Sequence, residues 1–170
     1  CDALGSKFNG QNVGTFGDAG TFSFCQDKIM TTGGEGGMLV TNRQDIYERA
    51  WAYKDHGKSL QKLNLKKGDG TFRFVHDSIG TNMRMTEMQA AIGREQLKKL
   101  RYWIQQRKKN ANLIREYLRY CPGFTLPQPS SEFDHSYYRL YGLVDETSLR
   151  AGWSRDRIVR SMLEKGFPIG

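Results

Sequence analysis

The sequence has 170 residues with 26 Lys and Arg against 18 Asp and Glu, so its formal net charge at pH 7 is +8. It contains no apolar run of about 20 residues, which excludes a transmembrane helix within it. Its three cysteines, Cys1, Cys25 and Cys121, lack the spacing of a metal site or a disulfide framework and predict reduced thiols in a cytoplasmic protein. The positive charge predicts anionic partners.

The first forty residues predict a glycine-rich approach to a pair of strands. Residues 1–20 are punctuated by glycines and predict a loop or a short helix that returns to a sheet. Residues 21–25 predict one strand and residues 37–41 a second. Lys28 lies in the connection between them and is followed by the glycine cluster at 33–37.

Two side chains in and next to this connection could carry chemistry. Ser23 offers a small hydroxyl that can bond a phosphate oxygen. Partial burial of Lys28 would favour its neutral amine, which can attack a carbonyl carbon. The glycines allow a ligand or a neighbouring strand to approach the backbone closely. A strand, a surface lysine and a glycine-rich turn explain the same residues, and spacing alone leaves both interpretations open.

A helix and a polar loop are predicted next. Residues 43–55 carry apolar side chains at helical spacing, and the helix should close at His56 and Gly57. His56 could contact a substrate or balance the dipole at the end of the helix. Residues 58–75 are polar and basic and predict a loop, whose charges could meet a diphosphate or serve solubility.

The longest predicted element is a helix that begins at Thr86. Thr86 and Gln89 have the spacing of a capping box, and apolar residues then recur at intervals of three and four as far as Cys121, broken once by Arg107. Such a helix has about 35 residues and a length of roughly 50 Å. It is too long for one compact lobe, which predicts that it connects two domains.

This helix also carries much of the positive charge. Residues 94–119 include nine basic residues against two acidic ones. The charge predicts a solvated helix face, or a patch for nucleic acid.

The last fifty residues predict a small α+β unit. Residues 124–126 and 137–144 predict strands separated by a turn rich in proline and serine. Residues 155–165 predict a helix that begins after Ser154 and ends at Gly166.

Two long blocks of the sequence resemble one enzyme family. The first is Ser-Phe-x-x-x-Lys, from Ser23 to Lys28, followed by the Gly-Gly-Glu-Gly-Gly cluster. The second runs from Gly80 to Leu97 as Gly-x-Asn-x-Arg-Met followed by Gln-Ala-Ala-x-Gly-x-x-Gln-Leu. Together they resemble the sugar aminotransferases of the DegT/DnrJ/EryC1/StrS family, which are fold-type I enzymes dependent on pyridoxal 5′-phosphate (PLP).

The resemblance implies an α/β fold and a division into domains. Residues 1–100 would be the C-terminal part of the PLP-binding large domain, a mixed sheet with helices. Residues 101–121 would form the interdomain helix, and residues 122–170 the start of the small α+β domain. The family's aspartate for the pyridine nitrogen would precede Cys1, so we expect this chain to be a fragment that is inactive alone.

The resemblance also implies roles for particular residues at the cofactor. Lys28 would bind PLP as a Schiff base and carry the proton, and Ser23 would bond the phosphate of the cofactor. Asp2 takes the place of a glutamine or histidine beside the cofactor ring, and Asn82 would reach the site of a neighbouring subunit in a homodimer.

Two further residues, His56 and Arg84, are candidates for substrate binding. Arg84 could clamp a carboxylate or a phosphate, or form an interior ion pair.

The implied reaction moves an amino group, usually from L-glutamate, to a nucleotide-linked keto sugar in a pathway such as lipopolysaccharide or antibiotic sugar biosynthesis. Relatives that dehydrate their substrate carry histidine in place of the lysine, so Lys28 favours amino transfer. No metal, nucleic acid or membrane partner is expected. Two alternatives stay open: a basic helical nucleic-acid-binding module, and a PLP-fold protein without turnover.

Overall fold

The computed structural model describes residues 3–63 and 75–170 of the chain. Asp2 and most of the predicted loop at 58–75 lie outside these residues. Within them, three small antiparallel sheets accompany four α-helices, as expected for an α/β protein. The strands are β1 (Lys7–Phe8), β2 (Gln11–Asn12), β3 (Gly20–Ser23), β4 (Gly37–Val40), β5 (Phe124–Thr125), β6 (Phe133–Asp134) and β7 (Leu143–Val144). The helices are α1 (Gln44–Lys54), α2 (Leu60–Leu63), α3 (Glu87–Leu118) and α4 (Arg155–Glu164).

The N-terminal segment forms a hairpin where a loop or short helix was predicted. Strand β1 pairs with β2 and, on its other edge, with β6 from far along the chain. Next to this sheet, the hydroxyls of Ser6 and Ser136 lie 2.8 Å apart, and both residues are buried. Because buried hydroxyls are costly unless they are bonded, this pair fixes the segment around Ser136 to the N-terminal part of the chain.

The predicted strand pair on either side of Lys28 is confirmed. Strands β3 and β4 are antiparallel, with Gly20 opposite Val40 and Ser23 opposite Gly37. We call the residues between them, 24–36, the lysine loop. No tight turn closes this loop. It is held in place by apolar side chains, because Phe24, Ile29 and Met30 are all buried.

Helix α3 begins with the predicted capping box. The Thr86 hydroxyl accepts from the Gln89 amide, and the Gln89 side chain accepts from the Thr86 amide. The helix has 32 residues, close to the predicted length. Its apolar stripe packs mainly at its middle, where Ile104 and Ala111 are buried while Leu97 is 56% exposed.

The C-terminal elements agree with the prediction except at one strand. Strand β5 and helix α4 are confirmed, and the Ser154 hydroxyl caps α4 by accepting from the Arg157 amide. The predicted strand at 137–144 is wrong for all but β7. Tyr137, the first residue of the predicted strand, has a φ of 51°, which extended backbone cannot adopt. Residues 138 and 139 then form a bend, and the carbonyls of Tyr137 and Tyr138 accept from Arg107.

The chain leaves much of its surface open to solvent. Its accessible surface is 12873 Å², whereas a compact monomer of this mass would expose about 8,500 Å². Large apolar side chains such as Ile79, Met83 and Met88 are more than half exposed. None of the helices in the described residues is both long and apolar enough to cross a bilayer.

The capping box gives a prediction about stability. Thr86→Ala removes the hydroxyl that accepts from the Gln89 amide, so we expect it to lower the free energy of unfolding by about 1 kcal/mol. Thr86→Ser keeps the hydroxyl and is the matched control. Chemical denaturation of both variants measures the difference; equal loss in both would show that the hydroxyl does not stabilise the helix.

Candidate active site

The Lys28 side chain is held close to the protein surface but is largely covered. Its amine donates to the Tyr138 hydroxyl over 3.2 Å and lies 3.6 Å from a carboxylate oxygen of Asp27. The same nitrogen lies 4.6 Å from the centre of the Tyr138 ring. The side chain is 19% exposed. The amine therefore has defined neighbours and limited contact with solvent.

The lysine loop is anchored immediately around Lys28. Ile29 and Met30 are buried directly after it, and the Lys28 amide donates to the Cys25 carbonyl over 3.1 Å. The Phe24 amide bonds the Gly36 carbonyl, and the Phe24 carbonyl accepts from the amide of Thr32. These bonds join the two ends of the loop, so the position of Lys28 is set by packed backbone.

Tyr138 also binds Asp27, the acidic residue beside Lys28. Its hydroxyl forms a hydrogen bond with the Asp27 carboxylate. This bond is the main reason that the pKa of Asp27 lies below its ordinary value, with the charge of Lys28 adding to it. Arg139 approaches the same carboxylate to 4.0 Å. Asp27 is therefore an anion beside Lys28 at neutral pH.

The segment that carries Tyr138 is fixed by a residue of helix α3. Arg107 donates to the carbonyls of Tyr137 and Tyr138 over 3.1 and 3.3 Å. Arg107 is the residue that interrupts the apolar stripe of the helix. Its charge is placed where two backbone carbonyls need a donor, which explains the interruption.

Ser23 lies at the end of β3, at the entrance of the lysine loop. Its hydroxyl accepts from the Cys25 amide over 3.4 Å, and Cys25 in turn bonds the Lys28 amide through its carbonyl. The chain therefore connects Ser23 to Lys28 by two short backbone links. The hydroxyl retains its proton for a further acceptor, such as a phosphate oxygen.

The surroundings of Cys25 disfavour its thiolate form. The Asp27 amide lowers the pKa of the thiol, but desolvation and bonds to the carboxylates of Asp27 and Glu35 outweigh that effect and raise it above its ordinary value. A thiol with a raised pKa carries little thiolate and is a weak nucleophile.

Asn82 and Arg84 lie in a second group, which is centred on Asp55 at the end of α1. The Asp55 carboxylate lies 3.1 Å from the Lys58 amine and 3.4 Å from the Arg84 guanidinium. Burial raises the pKa of Asp55, but the bond from Lys58 and the charges of Lys58 and Arg84 outweigh it, so the pKa is lowered. Arg84 also donates to the Asn82 side chain over 3.1 Å.

The backbone of this second group requires two glycines. Gly57 has a φ of 73°, and a Cβ there would lie 1.7 Å from the Ser78 carbonyl oxygen. A Cβ on Gly80 would lie 2.1 Å from the Gly57 nitrogen. This close approach lets the segment around Asn82 bond along the end of α1.

His56 directly precedes Gly57 and has a left-handed backbone conformation with a φ of 61°. Its amide donates to the Thr81 carbonyl over 3.1 Å, and its carbonyl accepts from the ring of His76. The residue is exposed. Its backbone therefore fastens the end of α1, while its side chain faces solvent.

The structure thus places the predicted residues in two groups. Lys28 lies in the lysine loop and Ser23 directly before it, while His56, Asn82 and Arg84 belong to the group around Asp55. Asp2 lies outside the described residues. In the part of the chain that the structure describes, no cluster of three or more histidine, cysteine or acidic side chains could hold a metal ion.

Sequence reasoning missed four residues that build these groups: Asp27, Asp55, Arg107 and Tyr138. One of them left a signal, because an arginine in an apolar stripe requires a partner. Tyr138 left none, because it is separated from Lys28 by 110 positions. Asp27 and Asp55 lie close in sequence to Lys28 and Lys58, but their contacts with Tyr138 and Arg84 join distant parts of the chain.

The charges around Asp55 predict a pH dependence of stability. Because the pKa of the folded carboxyl is lowered, the carboxylate stabilises the fold above the unfolded pKa and loses that effect as the pH falls through the folded pKa. Asp55→Asn should therefore unfold at a lower temperature than the wild type at pH 7, and the gap should close below the ordinary pKa of 3.8.

Asp18→Asn is the control for this measurement, because the Asp18 side chain is 73% exposed. We expect a smaller change from it. Thermal denaturation at several pH values measures both variants, and a gap for Asp55→Asn that is independent of pH would contradict the prediction.

Comparison with known proteins gives a consistent result. The DegT/DnrJ/EryC1/StrS aminotransferase family matches residues 1–169. GDP-perosamine synthase of Escherichia coli O157:H7 is 32% identical over 163 residues, which cover 96% of this chain and 41% of that protein.

Two solved structures are similar in fold. The aminotransferase from Psychrobacter cryohalolentis has a TM-score of 0.87 at 43% identity and covers 95% of this chain and 43% of its own. The E. coli GDP-4-keto-6-deoxy-D-mannose-3-dehydratase with bound hydrated PLP has a TM-score of 0.81 at 31% identity, covering 98% and 43%. The chain therefore spans less than half the length of these relatives.

The family match extends over nearly the whole sequence and includes both blocks that surround Lys28 and Asn82. The chain belongs to the DegT/DnrJ/EryC1/StrS aminotransferase family.

Proposed function

We propose that the protein containing this chain is a PLP-dependent enzyme that transfers an amino group to a nucleotide-linked keto sugar. The observation that carries this proposal is the position of Lys28. Its amine is largely covered, lies on an anchored loop, and belongs to a chain of the aminotransferase family.

The side chains of the lysine loop fit the functional groups of PLP. An amine can condense with an aldehyde, and the Ser23 hydroxyl can donate to a phosphate at the entrance of the loop. One relative of similar fold was solved with bound hydrated PLP. Lys28 and Ser23 are the residues of this chain that would hold the cofactor, and we propose Asp2 and Asn82 as further contacts.

When bound, PLP would supply an electron sink for the carbon that loses its proton. The protein's part is to place the proton carrier. The Lys28 amine sits on a flexible stem whose base is fixed by buried neighbours, so it can move between two nearby atoms without leaving the site. Asp27 stabilises the amine when it is protonated.

Relatives and charge support the proposed substrate class. The similar proteins are named for GDP-perosamine and GDP-4-keto-6-deoxy-D-mannose, both nucleotide-linked sugars. In this chain, Arg84 is half exposed beside Asn82 and offers a guanidinium to an anionic group. We propose Arg84 and His56 as substrate contacts, L-glutamate as the amino donor, and a homodimer in which Asn82 serves the neighbouring subunit.

Amino transfer is favoured over dehydration because Lys28 is a lysine. A nucleic-acid-binding role has less support. Part of the basic face of α3 forms contacts within this chain, since Lys108 pairs with Asp134 and Arg115 donates to Tyr137 and Pro127.

The division into large domain, interdomain helix and small domain stays a prediction.

The assignment of Lys28 is tested by absorption spectroscopy of the full-length protein with PLP. The wild type should show the visible band of a lysine-bound cofactor, and Lys28→Ala should abolish it because the amine that would condense with the aldehyde is removed. Lys62→Ala is the control, since Lys62 is a surface lysine paired with Asp77. An unchanged spectrum in Lys28→Ala would refute the assignment.

The role of Ser23 is tested by cofactor affinity. Ser23→Ala removes one hydrogen bond to a charged phosphate, so we expect PLP to dissociate about tenfold more readily. Ser130→Ala, in an exposed loop, is the control. Titration of cofactor-free protein with PLP gives both dissociation constants, and equal values would remove Ser23 from the site.

A further inference from the structure

We propose that Tyr138 is a positioning residue for Lys28, whose hydroxyl joins the lysine amine to the Asp27 carboxylate. The inference rests on the proposed function, because it concerns the lysine that would bind the cofactor. It assigns a role to a residue that neither of the two sequence blocks contains.

The first support is the geometry of the three side chains. The Tyr138 hydroxyl accepts from the Lys28 amine over 3.2 Å and bonds the Asp27 carboxylate. A phenol has one proton and two lone pairs, so it can donate to the carboxylate and accept from the amine at the same time. The hydroxyl is therefore a bridge with defined donors and acceptors.

The second support is that Tyr138 is placed independently of Lys28. Arg107 holds the carbonyls of Tyr137 and Tyr138, and the buried Ser136 hydroxyl bonds that of Ser6. These contacts come from helix α3 and from the N-terminal segment. Tyr138 is therefore held in place by contacts that do not involve Lys28, as expected of a residue that positions another.

The third support is the mobility of a lysine side chain. Its four-carbon stem has many rotamers in solution, and the ion pair with Asp27 at 3.6 Å leaves the direction of the amine weakly defined. A neighbouring ring at 4.6 Å and a hydroxyl in bonding distance restrict that freedom. Among the contacts of the described residues, Asp27 lies beside the amine, and Arg139 approaches the same carboxylate.

The test is the accessibility of the Lys28 amine in the cofactor-free, full-length protein. Reductive methylation with formaldehyde, followed by mass spectrometry, gives the rate at Lys28 relative to Lys62 in the same sample. Tyr138→Phe keeps the ring and removes the hydroxyl, so we expect the relative rate at Lys28 to rise about two- to tenfold. Tyr141→Phe makes the same change on the same segment at a residue that is 70% exposed, and should leave the rate unchanged.

Asp27→Ala is a second variant that loosens the bridge from its other end. Asp27 is half exposed, so this change is compatible with folding even if Tyr138→Phe is not. It should also raise the relative rate at Lys28. In the loaded enzyme, Tyr138→Phe should lower kcat and leave the KM of the amino donor unchanged, because the residue acts through the lysine.

An unchanged methylation rate at Lys28 in both Tyr138→Phe and Asp27→Ala would overturn the inference. This result is separable from a failure of the proposed function. If Lys28→Ala bound PLP with the spectrum of the wild type, the cofactor assignment would fall, while the methylation rates would still report whether Tyr138 positions the amine.

Discussion

The burial of Ile29 and Met30 is the constraint on which the candidate active site depends. These two side chains follow Lys28 directly and contribute about 1.5–3 kcal/mol each when fully removed from water. The ion pair between Lys28 and Asp27 contributes much less, because the Asp27 side chain is 47% exposed and solvent screens it. Apolar packing therefore places the amine, and electrostatics adjusts its immediate surroundings.

Two distant parts of the chain meet at this anchored loop. From one side, the start of helix α3 docks on it: the Gln89 side chain donates to the Glu35 carbonyl over 2.8 Å, and Gly93 packs against Thr32. From the other side, the segment after β6 brings Tyr138 to Lys28. The same helix supports both contacts, since Arg107 holds the backbone of Tyr138. A change in α3 would reach the lysine by two routes.

The group around Asp55 has a different character. A mostly buried carboxylate forms ion pairs with both Lys58 and Arg84. The half-exposed guanidinium of Arg84 keeps capacity for a further anion, which agrees with the proposed nucleotide-linked substrate. The close backbone contact of Gly57 and Gly80 sets the geometry, so the charges are held by a rigid turn.

The sequence by itself determined the elements whose signals are local: the strands around Lys28, helix α1, and the capping box at Thr86. It also determined the family, because two long blocks occur in the right order. Only the tertiary structure decided which residues surround the amine. The bonds from Tyr138 and Arg107 join positions tens of residues apart. The left-handed Tyr137 lies where the sequence pattern predicted the start of a strand. Local pattern records propensity and burial, whereas these contacts depend on how separate segments pack, which no single stretch of sequence encodes.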